Sequence, residues 1–168
     1  MDDKKFTISV AESITGAYLT SCFTRVKGSS KYFIGSITSY CLDMKVKLLG
    51  VNRDMASECN CVSEEVAKQM AKGVSEQMSS DIGIATCGYA SSMSNISHEL
   101  VSQYKDHIKV NDLPYAYICL YDNRDGIPDG ERYKVKYFSD ANSSQGFNRE
   151  TFIQLVSHHA YMMVLNYD

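Results

Sequence analysis

The sequence predicts a layered α/β domain with helices on both faces of a mixed sheet, and three observations carry that expectation. Short runs of β-branched and aromatic residues alternate along the chain with segments of helical periodicity. The last two such runs are joined by a short turn containing Asp125-Gly126 and Asp129-Gly130, so they should pair as an antiparallel hairpin, unlike the earlier strands. The chain has 168 residues, 44% of them hydrophobic and only two of them proline, which is enough for one buried core and reads as a single domain spanning residues 1–168.

Phe6 to Val10 alternates apolar and polar residues and reads as the first strand. Ala11 to Gly16 closes it, and a helix follows to about Val26, with Leu19, Phe23 and Val26 at helical spacing. Tyr32 to Tyr40 is rich in β-branched and aromatic residues and gives the second strand. Leu42 to Leu49 is a short helix that Gly50 stops. Ser63 is placed to cap a longer helix, with Glu64 and Glu65 at its positive end and Val66, Met70, Val74 and Met78 along one face. Asp81 to Thr86 is a short buried strand. The segment from Ile96 to Leu113, with His98, Tyr104 and His107, suits an extra helix whose histidines lie at a surface or interface. Pro114 to Tyr121 and Arg132 to Phe138 are the last strands, and Asn148 to Leu165 is a final helix burying Phe152, Leu155, Val156 and Met163.

Charge and composition exclude several functions. A net charge of -3 without a basic stripe gives no reason to expect nucleic acid or an anionic membrane as partner. No apolar run reaches spanning length, and Met1-Asp2-Asp3-Lys4-Lys5 lacks the apolar core of a signal peptide, so a cytoplasmic location is expected. Among six cysteines only Cys59 and Cys61 are close, and they lack the second Cys/His pair of a zinc site. Neither a metal nor another cofactor is expected.

The stretch from Gly28 to Val51 offers a hydrolytic centre. Serine is a poor nucleophile until a base takes its proton, and a lysine whose charge is destabilised can be that base. Ser30 in the Gly28-Ser29-Ser30 turn, Tyr40 at the strand end and Lys45 beyond it supply the residue types for amide hydrolysis. The same three residues equally suit a structural turn, a packed strand end and a solvated charge.

Four motifs in register decide between these roles. Ala11-Glu12-Ser13-x-Thr15-Gly16, Gly28-Ser29-Ser30-x-Tyr32-Phe33, Tyr40-x-x-x-x-Lys45-x-x-Leu48-Leu49-Gly50-Val51 and Val62-Ser63-Glu64-Glu65-Val66-Ala67 resemble, in order and spacing, the CinA C-terminal domain family. The likeness runs from about Ile8 to Ala85 and resumes weakly in the final helix. It implies a three-layer α/β/α fold and hydrolysis of nicotinamide mononucleotide to nicotinic acid mononucleotide and ammonia. It also implies roles: Ser30 as nucleophile, Lys45 as its basic partner and Tyr40 as a hydroxyl of the same site. Glu12, Ser13, Thr15, Gly16, Ser29, Gly88 and Arg149 are the residues expected to bind the small nucleotide substrate. Backbone N–H groups at the helix start after Gly16 are expected to hold its phosphate. With the extra segment, the resemblance also points to a homodimer.

The chain departs from the family pattern twice. Ala17 replaces a glycine, at little cost if that position is helical. After the third strand, active members carry Thr-Gly-x-x-Gly-Pro-x-x-Gly, whereas this chain has Cys87-Gly88-Tyr89-Ala90-Ser91-Ser92-Met93-Ser94-Asn95. One glycine remains, and a loop without glycines adopts positive φ or approaches a ligand closely with difficulty. Three functions therefore compete: hydrolysis of nicotinamide mononucleotide, hydrolysis of a different small amide, and a non-catalytic binding or assembly role.

Overall fold

The computed structural model describes residues 6–91, 114–139 and 148–167. The helix expected within 96–113, with His98, Tyr104 and His107, lies outside the described residues.

Among the described residues, five strands form one sheet. They are β1 (Ile8–Glu12), β2 (Phe33–Thr38), β3 (Ile82–Tyr89), β4 (Tyr115–Asp122) and β5 (Tyr133–Ser139). Their spatial order is β2-β1-β3-β4-β5. β1 runs parallel to both β2 and β3, while β4 is antiparallel to β3 and to β5. The sheet is mixed, as the terminal hairpin requires.

Helices cover both faces. α1 (Tyr18–Thr24) and the C-terminal helix, here α5 (Arg149–Leu165), pack on one side. There Leu19, Phe23, Phe152, Val156 and Ala160 meet Ile8, Val10, Ile82 and Ile84. α2 (Leu42–Leu49), α3 (Arg53–Glu58) and α4 (Glu64–Met78) belong to the other side. Val66, Met70 and Val74 of α4 lie there over Ala11, Ala85 and Cys119. Alternation along each strand divides its side chains between the two cores.

Several boundaries differ from the sequence expectation. β1 starts and ends two residues later, and all five of its residues are buried because it is central. Its polar members are paired there, Ser9 with Ser80 at 2.6 Å and Glu12 with the start of α1. β3 continues to Tyr89 because β4 pairs with it over its full length. α3 is an additional helix, capped by Asn52, whose side chain accepts from the Met55 N–H at 2.9 Å. Its six residues are too few to show a helical period. Of the four residues expected to anchor α5 in the core, Phe152 and Val156 are buried and Leu155 and Met163 only half-buried.

Topology places a crevice at one end of this sheet. The chain leaves β1 through α1 to reach β2 on one flank, then returns through α2, α3 and α4 to β3 on the other. Strand order therefore reverses at β1, and the carboxyl ends of β1, β2 and β3 diverge around an opening.

Candidate active site

Lys45 is the least expected feature of that opening. It lies on α2 one turn before Leu49, and both residues face inward. α2 can approach α4 closely because residue 73 is glycine: a Cβ there would sit 2.0 Å from the Leu49 carbonyl oxygen. The Lys45 side chain is only 1% exposed. Its Nζ donates to the Ser39 carbonyl at 2.7 Å, the Tyr40 carbonyl at 2.9 Å and Ser13 Oγ at 3.0 Å. No carboxylate pairs with it among the described residues. Burial lowers the Lys45 pKa from 10.5, against the opposing pull of the Cys61, Cys87 and Cys41 thiols.

Ser13 is held where β1 ends. Its N–H donates to the Thr86 carbonyl at 3.1 Å, which extends the β1–β3 ladder by one bond and fixes the residue beside Lys45. Ser13, Lys45 and Tyr40 line one cleft of about 360 Å³, together with Asn60, Cys61, Gly88, Tyr89, Ser91 and Arg149. That size is in the range of small-molecule sites. Tyr40 is 69% exposed, its backbone accepts from Lys45 and its side chain borders the opening.

The structure does not bring Ser30 to Lys45. Ser29 and Ser30 lie in a 3-10 turn (Ser29–Lys31) before β2, whereas Ser39, Tyr40 and Lys45 follow it. Six strand residues separate the two ends, about 20 Å at the usual rise. Ser30 is exposed, and neither serine lines the cleft. The serine beside Lys45 is Ser13, thirty-two residues away in sequence.

Glu12, Thr15 and Gly16 shape the site from behind. Glu12 is fully buried. Its carboxylate accepts from the Leu19 N–H at 3.0 Å, the Thr20 N–H at 2.9 Å and Thr15 Oγ1 at 2.6 Å, and from Thr20 Oγ1 as well. Thr15 Oγ1 also meets Thr86 Oγ1 at 2.8 Å. The start of α1 thus already holds an anion, and it belongs to the protein. The Tyr18 N–H is taken as well, by the Thr15 carbonyl at 2.9 Å. The first three N–H groups of α1 are therefore all taken within the protein. Gly16 and Ala17 have φ of +53° and +76°, so Ala17 sits in the left-handed region and not in helix.

Gly88 and Arg149 do border the cleft. Gly88 must lack a side chain because a Cβ would lie 2.3 Å from the Tyr115 carbonyl oxygen on β4, so strand packing fixes this glycine. Arg149 opens α5 at the rim, exposed, with Nη1 3.4 Å from Ser91 Oγ. Sequence reasoning missed Asn60, Cys61 and Tyr89. Asn60 and Cys61 both have positive φ, +48° and +61°. Asparagine is among the non-glycine residues that tolerate this conformation, which is the one signal the sequence carried.

The described residues thus define an α/β protein with a lysine–serine pair at the carboxyl ends of its parallel strands. The CinA C-terminal domain pattern matches residues 1–101, and the chain belongs to that family. A CinA-like protein of Picosynechococcus sp. is 37% identical over 147 residues, covering 85% of this chain and 33% of that protein. A CinA-like protein of Flavobacterium psychrophilum is 43% identical over 90 residues, covering 54% of this chain and 22% of that protein. The matches therefore span between about a fifth and a third of these relatives. A CinA superfamily protein from Escherichia coli superposes with a TM-score of 0.75 at 21% identity, over 96% of this chain and 80% of that one. The competence damage-inducible protein A from Klebsiella pneumoniae gives 0.74 at 18% identity, over 95% and 84%. Both likenesses establish the fold. No helix among the described residues is long and apolar enough to cross a membrane.

Proposed function

We propose that this protein is an amidohydrolase that converts nicotinamide mononucleotide to nicotinic acid mononucleotide and ammonia through Ser13 and Lys45. The observation that carries the reading is the 3.0 Å contact between Lys45 Nζ and Ser13 Oγ inside the cleft. Burial, with no carboxylate partner among the described residues, favours the neutral amine, the form able to take a proton.

In this mechanism Lys45 accepts the Ser13 proton as Oγ attacks the carboxamide carbon. The resulting ammonium returns that proton to the departing nitrogen, and ammonia leaves an acyl ester on Ser13. Water then attacks the ester with Lys45 again as base, which releases the carboxylate product and restores the serine. The Ser39 and Tyr40 carbonyls hold the lysine on line throughout, and Arg149 at the rim offers the contact for the phosphate. The replaced loop from Cys87 onward favours one second reading, a hydrolase of a different small amide, because Ser91 lines the cleft where the family pattern carries a glycine.

Ammonia release from nicotinamide mononucleotide tests the proposal. Ser13→Ala is expected to lower turnover by about a thousandfold or more, with the fold retained by circular dichroism. Ser30→Ala should leave the rate unchanged. Loss of activity in Ser30→Ala with Ser13→Ala unaffected would refute the assignment, and no turnover by the wild-type protein would refute the substrate.

A further inference from the structure

The wall of the cleft at the end of β3 contains a hydrogen bond whose polarity matters. Asn60 Nδ2 donates to the Tyr89 hydroxyl at 2.9 Å, and both residues line the cleft that holds Ser13 and Lys45. A phenol that accepts through its oxygen keeps its own proton available. No acceptor for that proton occurs among the described residues, so Tyr89 presents an unused donor within the cleft. Burial raises the Tyr89 pKa from 10.0, against the Asn60 bond, so the proton is retained at neutral pH.

The backbone around this pair is shaped to produce it. Two successive non-glycine residues at positive φ are uncommon and persist where the surrounding structure holds them. The turn is held by the Cys61 N–H on the Ala56 carbonyl at 2.7 Å and the Val62 N–H on the Cys59 carbonyl at 3.0 Å. Tyr89 is braced from behind by the buried Tyr115 ring, centroids 5.5 Å apart and planes 71° apart. Strained backbone and a ring with restricted freedom fix the donor before any ligand arrives, which reduces the ordering cost of binding.

We infer that the Tyr89 hydroxyl, oriented by Asn60, is a substrate-binding donor that recognises an acceptor oxygen of the ligand in the Ser13–Lys45 cleft. This inference rests on the amidohydrolase reading for its ligand, a small carboxamide nucleotide rich in acceptor oxygens. Asn60 is a positioning residue: it touches Tyr89 and sets which way the phenol proton points.

Binding without turnover separates the two ideas. Calorimetric titration of the Ser13→Ala protein with nicotinamide mononucleotide and with nicotinamide riboside gives the reference affinities. Adding Tyr89→Phe is expected to weaken both about tenfold, the worth of one hydrogen bond. Adding Asn60→Asp keeps a bridge to Tyr89 but reverses it, because a carboxylate accepts the phenol proton. It should weaken both ligands by a similar factor while leaving the melting temperature close to the reference. The riboside is a cation that the new carboxylate attracts, so its loss of affinity can only follow from the lost donor. Unchanged affinity in folded Tyr89→Phe and Asn60→Asp proteins would overturn the inference. Binding to Ser13→Ala without wild-type turnover would overturn the hydrolytic reading alone, and no binding of either ligand would overturn both.

Discussion

A lysine ammonium buried among two carbonyls and a serine hydroxyl has hydrogen bonds but no counter-charge among the described residues, and desolvation pushes it toward the neutral form. The neutral fraction grows as pH rises through the lowered pKa, so activity should climb along an alkaline limb whose midpoint lies below 10.5. A pH–rate profile checks this. Lys45→Arg should remove the limb together with the activity, because a guanidinium does not deprotonate in this range. A variant that stays active with the same limb would show that Lys45 is not the base. Sequence alone made Lys45 and Tyr40 visible through their spacing, and it put Ser13 in the same pocket. The family resemblance gave the nucleophile's role to Ser30, in the Gly-Ser-Ser turn fifteen residues before Lys45. Proximity in the chain misleads across a strand: residues before and after β2 are at opposite ends of the sheet.

At the scale of elements, the β1–α1 connection shows how a motif can be conspicuous for structural reasons. Glu12 closes the start of α1 by accepting from its backbone, and Thr15 ties Glu12 to Thr86 of β3. Ser13 therefore emerges at a fixed place between two anchored neighbours. Ala17, the left-handed residue before α1, is the weak point of this turn. The expectation that alanine is harmless here assumed helix, and at φ +76° its Cβ instead costs about 1 kcal/mol. Ala17→Gly should stabilise the protein by roughly that amount and raise the melting temperature by about 3 °C. Calorimetry would detect the change, and a lower melting temperature would contradict the strain argument. α1 and β1 were legible from periodicity and polarity. The use of the helix start was not, because the partner of those N–H groups is a side chain that reads in sequence as a substrate ligand.

Over the whole molecule, the C-terminal helix is fastened to the sheet by a buried polar cluster beneath its last turn. Asp122, fully buried at the end of β4, receives Arg124 Nη2 at 2.7 Å and the Tyr167 hydroxyl at 2.7 Å. Burial alone would raise its pKa, but the hydrogen bonds from Arg124 and Tyr167 outweigh it and hold the carboxyl below 3.8. A carboxyl depressed in the folded state contributes stability that is present above its unfolded pKa and is lost as pH falls through the lower folded value. Arg124→Ala should cost about 3 kcal/mol near neutral pH, since it strips a partner from a buried charge. It should also move acid unfolding to higher pH. Urea titrations at pH 7 and pH 4 would show both effects, and equal acid midpoints for variant and parent would exclude the linkage.

The sequence by itself determined the alternation of strands and helices, the mixed sheet and the family, because these depend on local periodicity, turn chemistry and motifs read in order. It also marked Ser13, Tyr40, Lys45, Gly88 and Arg149 of the cleft, since motifs travel with the fold. Only the tertiary structure decided which serine meets Lys45, that Glu12 occupies the helix start in place of a phosphate, and that Asn60 turns Tyr89 into a free donor. Each of those outcomes depends on parallel strands bringing distant segments to the same end of a sheet, and on burial setting the charge of what meets there.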